Sequence, residues 1–275
     1  MNENNKNILK LIIKLLVFIF IVGFIALIIY FYKKNINNSS NTSVEKITGD
    51  VSLNNKKIIK LFNDMNSINE TSDLVVNGYD YLGYFYSKDK IVSESLDDNV
   101  KFGIAFKIAY DLDSQIEEEK TYDSIKVENN IKNLFGRNSK IKNSGVSYNI
   151  SSKKCFYSGN IIDCQNKMGS GSPEGIKMIT KMEDVYKEND NLIIINKVMF
   201  VYSGPSDNIE NSFKYNILKK YTREEENNII IDTKYSNELL EFDIDNYLDN
   251  LYTYKWTFKM EESGKYIFDS VELQE

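Results

Sequence analysis

The run from Leu15 to Tyr32 holds 18 residues with no charge and no proline. A helix of that length spans roughly 27 Å, close to the hydrocarbon thickness of a bilayer. Its only small residues, Gly23 and Ala26, are three apart, so it carries no Gly-x-x-x-Gly packing motif. Tyr30 and Tyr32 fall where an aromatic belt meets the interface, and Lys33 and Lys34 close the segment. Leu11, Ile12 and Ile13 add a turn if Lys14 snorkels its amine outward. The competing reading, a buried core helix, needs a domain built from residues 1–14, which are too few to fold. The run is also longer than the apolar stretch of a cleaved signal peptide, and no small-x-small site follows closely. No Cys near its end offers a lipid attachment point. Residues 15–34 are therefore expected to form an uncleaved transmembrane signal anchor, with Leu15, Gly23 and Tyr32 in the bilayer.

The rest of the chain divides around this anchor. Residues 1–14 read as a short cytoplasmic tail, 35–46 as a polar linker without apolar periodicity, and 47–275 as one folded domain. The charge rule for orientation is nearly balanced, with Lys6, Lys10 and Lys14 before the run and Lys33, Lys34 and Lys46 after it. The cysteine pair described below tips the expectation towards an N-terminus inside and a domain outside.

Without residues 1–34 the chain carries 29 Lys plus Arg against 39 Asp plus Glu, a net charge of −10 over 241 residues. On that average the domain repels nucleic acid, anionic lipid headgroups and anionic wall polymers. The chain has no His. Imidazole triads, His-ligated zinc and His general bases are thereby excluded, and no cofactor is implied. Arg occurs only at Arg137 and Arg223 while Asn, Lys, Ile and Tyr abound, the mark of an AT-rich coding sequence.

Period and caps predict helices first and strands later. Asn54 or Asn55 caps a helix whose apolar stripe is Ile58, Ile59, Leu61, Phe62 and Met65. The Tyr-rich stretch 74–87 is read as a strand over its second half. Ser95 followed by Asp98 starts a second helix, with Val100, Ile104 and Ile108 inward. Residues 111–123 read as an acidic loop, and Val127 to Phe135 as a third helix stopped by Gly136. Tyr148 to Asp163 forms a hairpin; Ile176–Tyr186 and Leu192–Tyr202 are long strands joined by the polar turn 187–191. Phe213, Tyr215 and Ile217 alternate in a strand, and Ile229 to Asp232 forms a short one. Asp243 caps a short amphipathic helix carrying Ile244, Tyr247, Leu248 and Leu251. A final hairpin places Tyr252, Tyr254, Trp256, Phe258 and Met260 on one side, turns at 261–264 and returns through Tyr266–Val271. The fold class is α+β, with helices packed on one face of an antiparallel sheet.

The ending YKWTFKMEESGKYIFDSVE, with the helix before it, resembles the tails of uncharacterised single-pass exported proteins of low-GC Gram-positive bacteria. A curved sheet with packed helices is also similar in architecture to the cystatin and NTF2-like groups. Neither resemblance brings a function or site residues with it.

The most informative local feature is CFYSGNIIDC, Cys155 to Cys164. With Gly159-Asn160 at the centre of a tight turn, Ser158 opposes Ile161, Tyr157 opposes Ile162, Phe156 opposes Asp163 and Cys155 faces Cys164. The cysteines then fall on a non-hydrogen-bonded pair, where Cα atoms approach to about 4.5 Å and a disulfide fits. A redox site wants two intervening residues, and a zinc site needs four ligands.

Other motifs are weaker. Met168 to Gly175 is glycine-rich but lacks the Gly-Lys-Ser/Thr ending of a phosphate loop. Asp111, Asp113, Glu117, Glu118 and Glu119 form no EF-hand, because Ile116 and Tyr122 stand where Gly and Glu are required. The aromatic stripe of the last hairpin suits a sheet face packed on helices better than a sugar-stacking surface. Two functions survive. One is a membrane-tethered extracytoplasmic binding or structural module, with the bilayer and an envelope protein as partners and no nucleic acid. The other is a hydrolase of envelope glycans using two carboxylates about 5 to 10 Å apart.

Overall fold

The computed structural model describes residues 50–66, 83–110, 121–142, 145–150, 153–166, 175–206, 212–221 and 227–274. The expected anchor with Leu15, Gly23 and Tyr32, the linker 35–46, the acidic run 111–119 and Met168–Pro173 lie outside the described residues. Among the described residues no helix is long and apolar enough to cross a membrane.

Asn55 opens helix α1 (Lys56–Asn66): its Oδ1 accepts from the Lys57 N–H at 3.0 Å, and Ile58, Leu61, Phe62 and Met65 are buried along one stripe. Helix α2 (Asp98–Ala109) is capped by Asp97, which accepts from Asn99 N at 2.7 Å. The expected cap, Ser95, instead donates its hydroxyl to Val92 O, because a 3-10 turn at Ser93–Ser95 intervenes. Helix α3 (Ser124–Phe135) starts on an Asp123 cap and stops at Gly136, whose φ of 98° suits a residue without Cβ.

The strands are β1 (Lys90–Val92), β2 (Thr121–Asp123), β3 (Ser147–Ile150), β4 (Lys153–Tyr157), β5 (Ile161–Asn166), β6 (Gly175–Glu188), β7 (Asn191–Pro205), β8 (Phe213–Lys220), β9 (Ile229–Ser236), β10 (Thr253–Met260) and β11 (Tyr266–Gln274). They form two sheets where one was expected. The larger has seven strands, ordered β1-β11-β10-β7-β8-β9 with β6 also on β7, and every pairing is antiparallel. The smaller has four, ordered β2-β5-β4-β3 and also antiparallel.

Register explains the larger sheet. Strand β6 pairs with β7 from Glu188↔Asn191 to Gly175↔Ser203 and so occupies one edge of β7 throughout. On the other edge β10 pairs with residues 192–197 and β8 with 200–205, so the sheet forks along its longest strand. The β6–β7 hairpin turns on Asn189 and Asp190 alone, with φ of 49° and 65°. Positive φ at both central residues matches the twist of the flanking strands, so two residues suffice where five were expected.

Both faces of the fork are covered. Leu192, Ile194, Val198 and Phe200 of β7 face the helices and join the main core, while Met199 and Val201 join a second cluster with Tyr215, Ile217, Ile244 and Leu251. The expected helix at 243–251 is two 3-10 turns, Ile244–Asn246 and Leu248–Asn250, broken at Tyr247 (φ −125°, ψ 0°). Lys197 fastens this segment by donating to Leu248 O at 2.6 Å, and Lys181 reaches Asp245 at 2.6 Å.

Helix contacts run both ways. Phe62 of α1 meets Trp256 and Phe135 of α3 meets Phe268 on the larger sheet. On the smaller sheet, Tyr157 and Tyr122 meet Phe102 and Phe106 of α2. Helix α2 thus has no solvent face over most of its length, and Val100, Phe102, Ile104, Ala105 and Phe106 are all fully buried.

The expected strand near residue 84 is a 3-10 turn, Tyr84–Tyr86. Gly83 precedes it at φ 69°, and a Cβ there would stand 3.0 Å from the Phe200 ring, so both conformation and space demand glycine. Consecutive Phe85 and Tyr86 are both buried, which a strand with one solvent face would forbid. Tyr86 donates its hydroxyl to Asn66 Oδ1 at 2.8 Å and accepts from Asn196 Nδ2 at 3.1 Å, while Trp256 Nε1 donates to Asn196 Oδ1 at 2.9 Å. We expect Asn196→Ala to lower stability by about 2 to 4 kcal/mol, because two buried donor–acceptor groups lose a partner at once. A urea midpoint shifted by an equivalent of less than about 0.5 kcal/mol would show the network to be dispensable.

Candidate functional site

Two places combine special chemistry with defined geometry: the stapled hairpin, and the outer edge of β9. Strands β4 and β5 meet in the expected register, with Tyr157↔Ile162, Phe156↔Asp163 and Cys155↔Cys164. Ser158 N donates to Ile161 O at 3.1 Å to close the turn, and Gly159 takes φ 89° while Asn160 does not turn positive, as in a type II′ turn. Counting from that closing pair, the cysteines occupy a non-hydrogen-bonded position. Their Cα atoms stand 4.0 Å apart and the disulfide is formed. Both are buried and belong to the main core. A buried disulfide has no thiol to offer as nucleophile, and its place in the core marks it as a staple.

Beside the staple, Glu128 of α3 accepts through Oε1 from Ser124 Oγ at 3.0 Å and from Tyr157 OH at 3.1 Å. Partial burial first, then the hydrogen bond and charge of Glu128, push the Tyr157 phenol up to about 12 from 10.0. In the core, burial raises the Tyr86 and Tyr254 phenols further above the ordinary value. Groups held this firmly neutral position helices and strands and do not transfer protons near neutral pH.

The described carboxylates are largely taken up by caps and ion pairs. Asp97, Asp123 and Asp243 cap helical turns. Asp98, buried, accepts from Lys142 N at 2.9 Å and lies 3.9 Å from Lys101 Nζ. Glu188, Asp269 and Glu272 pair with Lys255, Lys259 and Lys90. Asp232 accepts from Tyr247 OH. Among the described residues, no three His, Cys, Asp or Glu side chains are grouped to hold a metal ion.

The aromatic stripe of the last hairpin lies inward. Tyr254, Trp256 and Phe258 are buried, and Phe85, Phe62 and Phe268 surround the Trp256 ring at centroid distances of 4.9, 5.6 and 5.7 Å. The stripe is core, as its alternation with Lys255, Thr257 and Lys259 implied. Apolar exposure is found elsewhere. Ile230 and Tyr235 stand out from β9 with exposures of 52% and 43%, and Leu239 just beyond it reaches 85%. Asp232 and Lys234 interrupt that edge, and the ladder to β8 shifts register between Ile229 and Asp232. Sequence periodicity missed this strip because it ends β9 four residues early.

No family model, curated protein or solved structure matches the chain.

Two outcomes follow from the staple and its neighbour. A Cys155→Ser/Cys164→Ser variant should lose about 2.5 to 3 kcal/mol, the chain-entropy value for a loop of this size, measured by urea unfolding against the oxidised wild type. The second concerns alkaline pH. An unfolded tyrosine ionises near 10, whereas folded Tyr157 keeps its proton to about 12. The stabilisation is therefore complete below pH 10 and is lost as pH rises towards 12. Tyr157→Phe should flatten the fall of the urea midpoint across that window; an unchanged slope would refute the assignment.

Proposed function

We propose that this chain is a membrane-tethered, non-enzymatic binding or structural module whose folded domain lies outside the cytoplasm. The formed disulfide Cys155–Cys164 carries the reading, because such bonds persist in oxidising compartments and are rare in the cytosol. The uncharged run Leu15–Tyr32 supports the tether, and Lys33 and Lys34 suit its interfacial end. A binding role draws on the exposed apolar side chains Ile230, Tyr235 and Leu239, and an envelope protein is the partner class in view. For the carboxylate hydrolase, no described feature speaks in favour: the described carboxylates named above serve caps, lysines and a tyrosine.

Protease added to intact spheroplasts tests compartment and tether together. The expected result is digestion of the domain without lysis, with residues N-terminal to the linker retained in the membrane pellet. Protection until the membrane is opened would reverse the orientation, and recovery of the intact chain in the soluble fraction would remove the tether. Mild crosslinking of membranes that repeatedly captures no protein would leave only the structural half of the proposal standing.

A further inference from the structure

Charge is not spread evenly over the domain. Residues 129–162 contain six cations (Lys132, Arg137, Lys140, Lys142, Lys153 and Lys154) and no Asp or Glu. The other 207 residues after position 34 carry a net charge of −16, so the acidic average conceals one cationic segment.

Four of these cations lie along the last turn of α3 and the segment that follows it. Lys132 sits in the helix's last turn. After Gly136 the chain folds back, with Ser139 N donating to Gly136 O at 2.9 Å and Ser139 Oγ donating to Phe135 O at 2.5 Å. That turn keeps Arg137 and Lys140 beside the helix end. The backbone of Lys142 is then pinned to Asp98 Oδ2 at the start of α2. All four side chains are exposed, and among the described residues none forms an ion pair. Elsewhere Lys60, Lys90 and Lys259 are exposed and each reach a carboxylate, whereas Lys56, Lys88, Lys177 and Lys187 are exposed without an ion pair among the described residues but lie apart in the sequence and do not form a run. Glu261 approaches the cluster, but it accepts from the Arg137 backbone N–H at 3.3 Å and leaves the guanidinium unengaged.

We infer that this surface, formed by Lys132, Arg137, Lys140 and Lys142, binds anionic lipid headgroups. The inference rests on the tether reading, which keeps the domain beside a bilayer. A random coil of 12 residues, the length of the expected linker 35–46, reaches roughly 20 Å, so on the tether reading even a weak cationic surface meets headgroups at high local concentration. Three of the four cations are lysines, compact point charges that need no matching fork on the partner. The polar side chains among them, Asn133, Asn138 and Ser139, include no aromatic ring to stack on a base or a sugar. A diffuse layer of phosphates requires nothing more than exposed positive charge concentrated in one segment.

The test uses the full chain in nanodiscs of phosphatidylcholine alone or with about 30% phosphatidylglycerol. Trp256, the only tryptophan, serves as energy-transfer donor and a dansyl-headgroup lipid as acceptor. We expect roughly a twofold rise in transfer on adding phosphatidylglycerol, abolished at about 1 M salt, where screening acts over about 3 Å. The variant K132Q/R137Q/K140Q/K142Q should lose the rise, while K60Q/K90Q/K255Q should keep it. Equal transfer in both lipids, or an unchanged rise in the first variant, overturns the inference. So does binding to soluble polyglycerol phosphate in the absence of any lipid-dependent rise, which would reassign the surface to a polymer. A chain that fails to co-migrate with either disc refutes the tether instead. Co-sedimentation with vesicles of the same two compositions then decides the surface on its own.

Discussion

Asn196 lies on the longest strand with its side chain wholly buried, and the domain is organised around how that amide is satisfied. Its oxygen takes the indole proton of Trp256 from β10, and its nitrogen reaches the hydroxyl of Tyr86, which in turn bonds Asn66 at the end of α1. A polar group without a partner in this position would cost a large share of a domain's net stability. The network therefore fixes four elements against one another: β7, β10, the 3-10 turn at Tyr84–Tyr86 and the end of α1. Apolar packing alone tolerates sliding, whereas directed hydrogen bonds in a low-dielectric interior admit few alternatives.

Around that centre the helices serve two sheets. Helix α2 is buried nearly all round because it packs on α1 and α3 and is covered by the small sheet. Its one charged interior pair, Asp98 with Lys101, is supported by a third contact from the Lys142 backbone. The disulfide holds the covering sheet closed where the β4–β5 hairpin would otherwise depend on few residues. Glu128, reached from Ser124 and Tyr157, joins that hairpin to α3. The small sheet is thus held by one covalent and several polar links, and the end of α3 with the segment leading into β3 carries the four cations.

Local features were legible because their physics is local. The Cys155–Cys164 register follows from a two-residue turn and strand alternation, both settled within ten positions. The stripe Tyr254, Trp256, Phe258 and the helix over Lys56–Asn66 were readable for the same reason. The cationic segment was open to simple counting as well, yet a single net charge for the domain averaged it away. What stayed hidden depended on partners distant in sequence. Tyr84–Tyr86 alternates no worse than a strand; only the Phe200 ring beneath Gly83 and the bond to Asn196 make it a turn. Ser95 and Asp97 are both good caps by type, and the preceding 3-10 turn decides between them.

By itself the sequence determined an uncharged 18-residue run, a cysteine pair in register and an α+β order of elements, because periodicity and turn chemistry act over a few residues. Tertiary structure alone decided that the strands divide into two sheets, that β7 forks between β8 and β10, and that residues 243–251 wind as 3-10 turns. Each of those outcomes is chosen by burial against elements tens of residues away. Alternation states that a strand has two faces; it takes the assembled core to say what covers each of them.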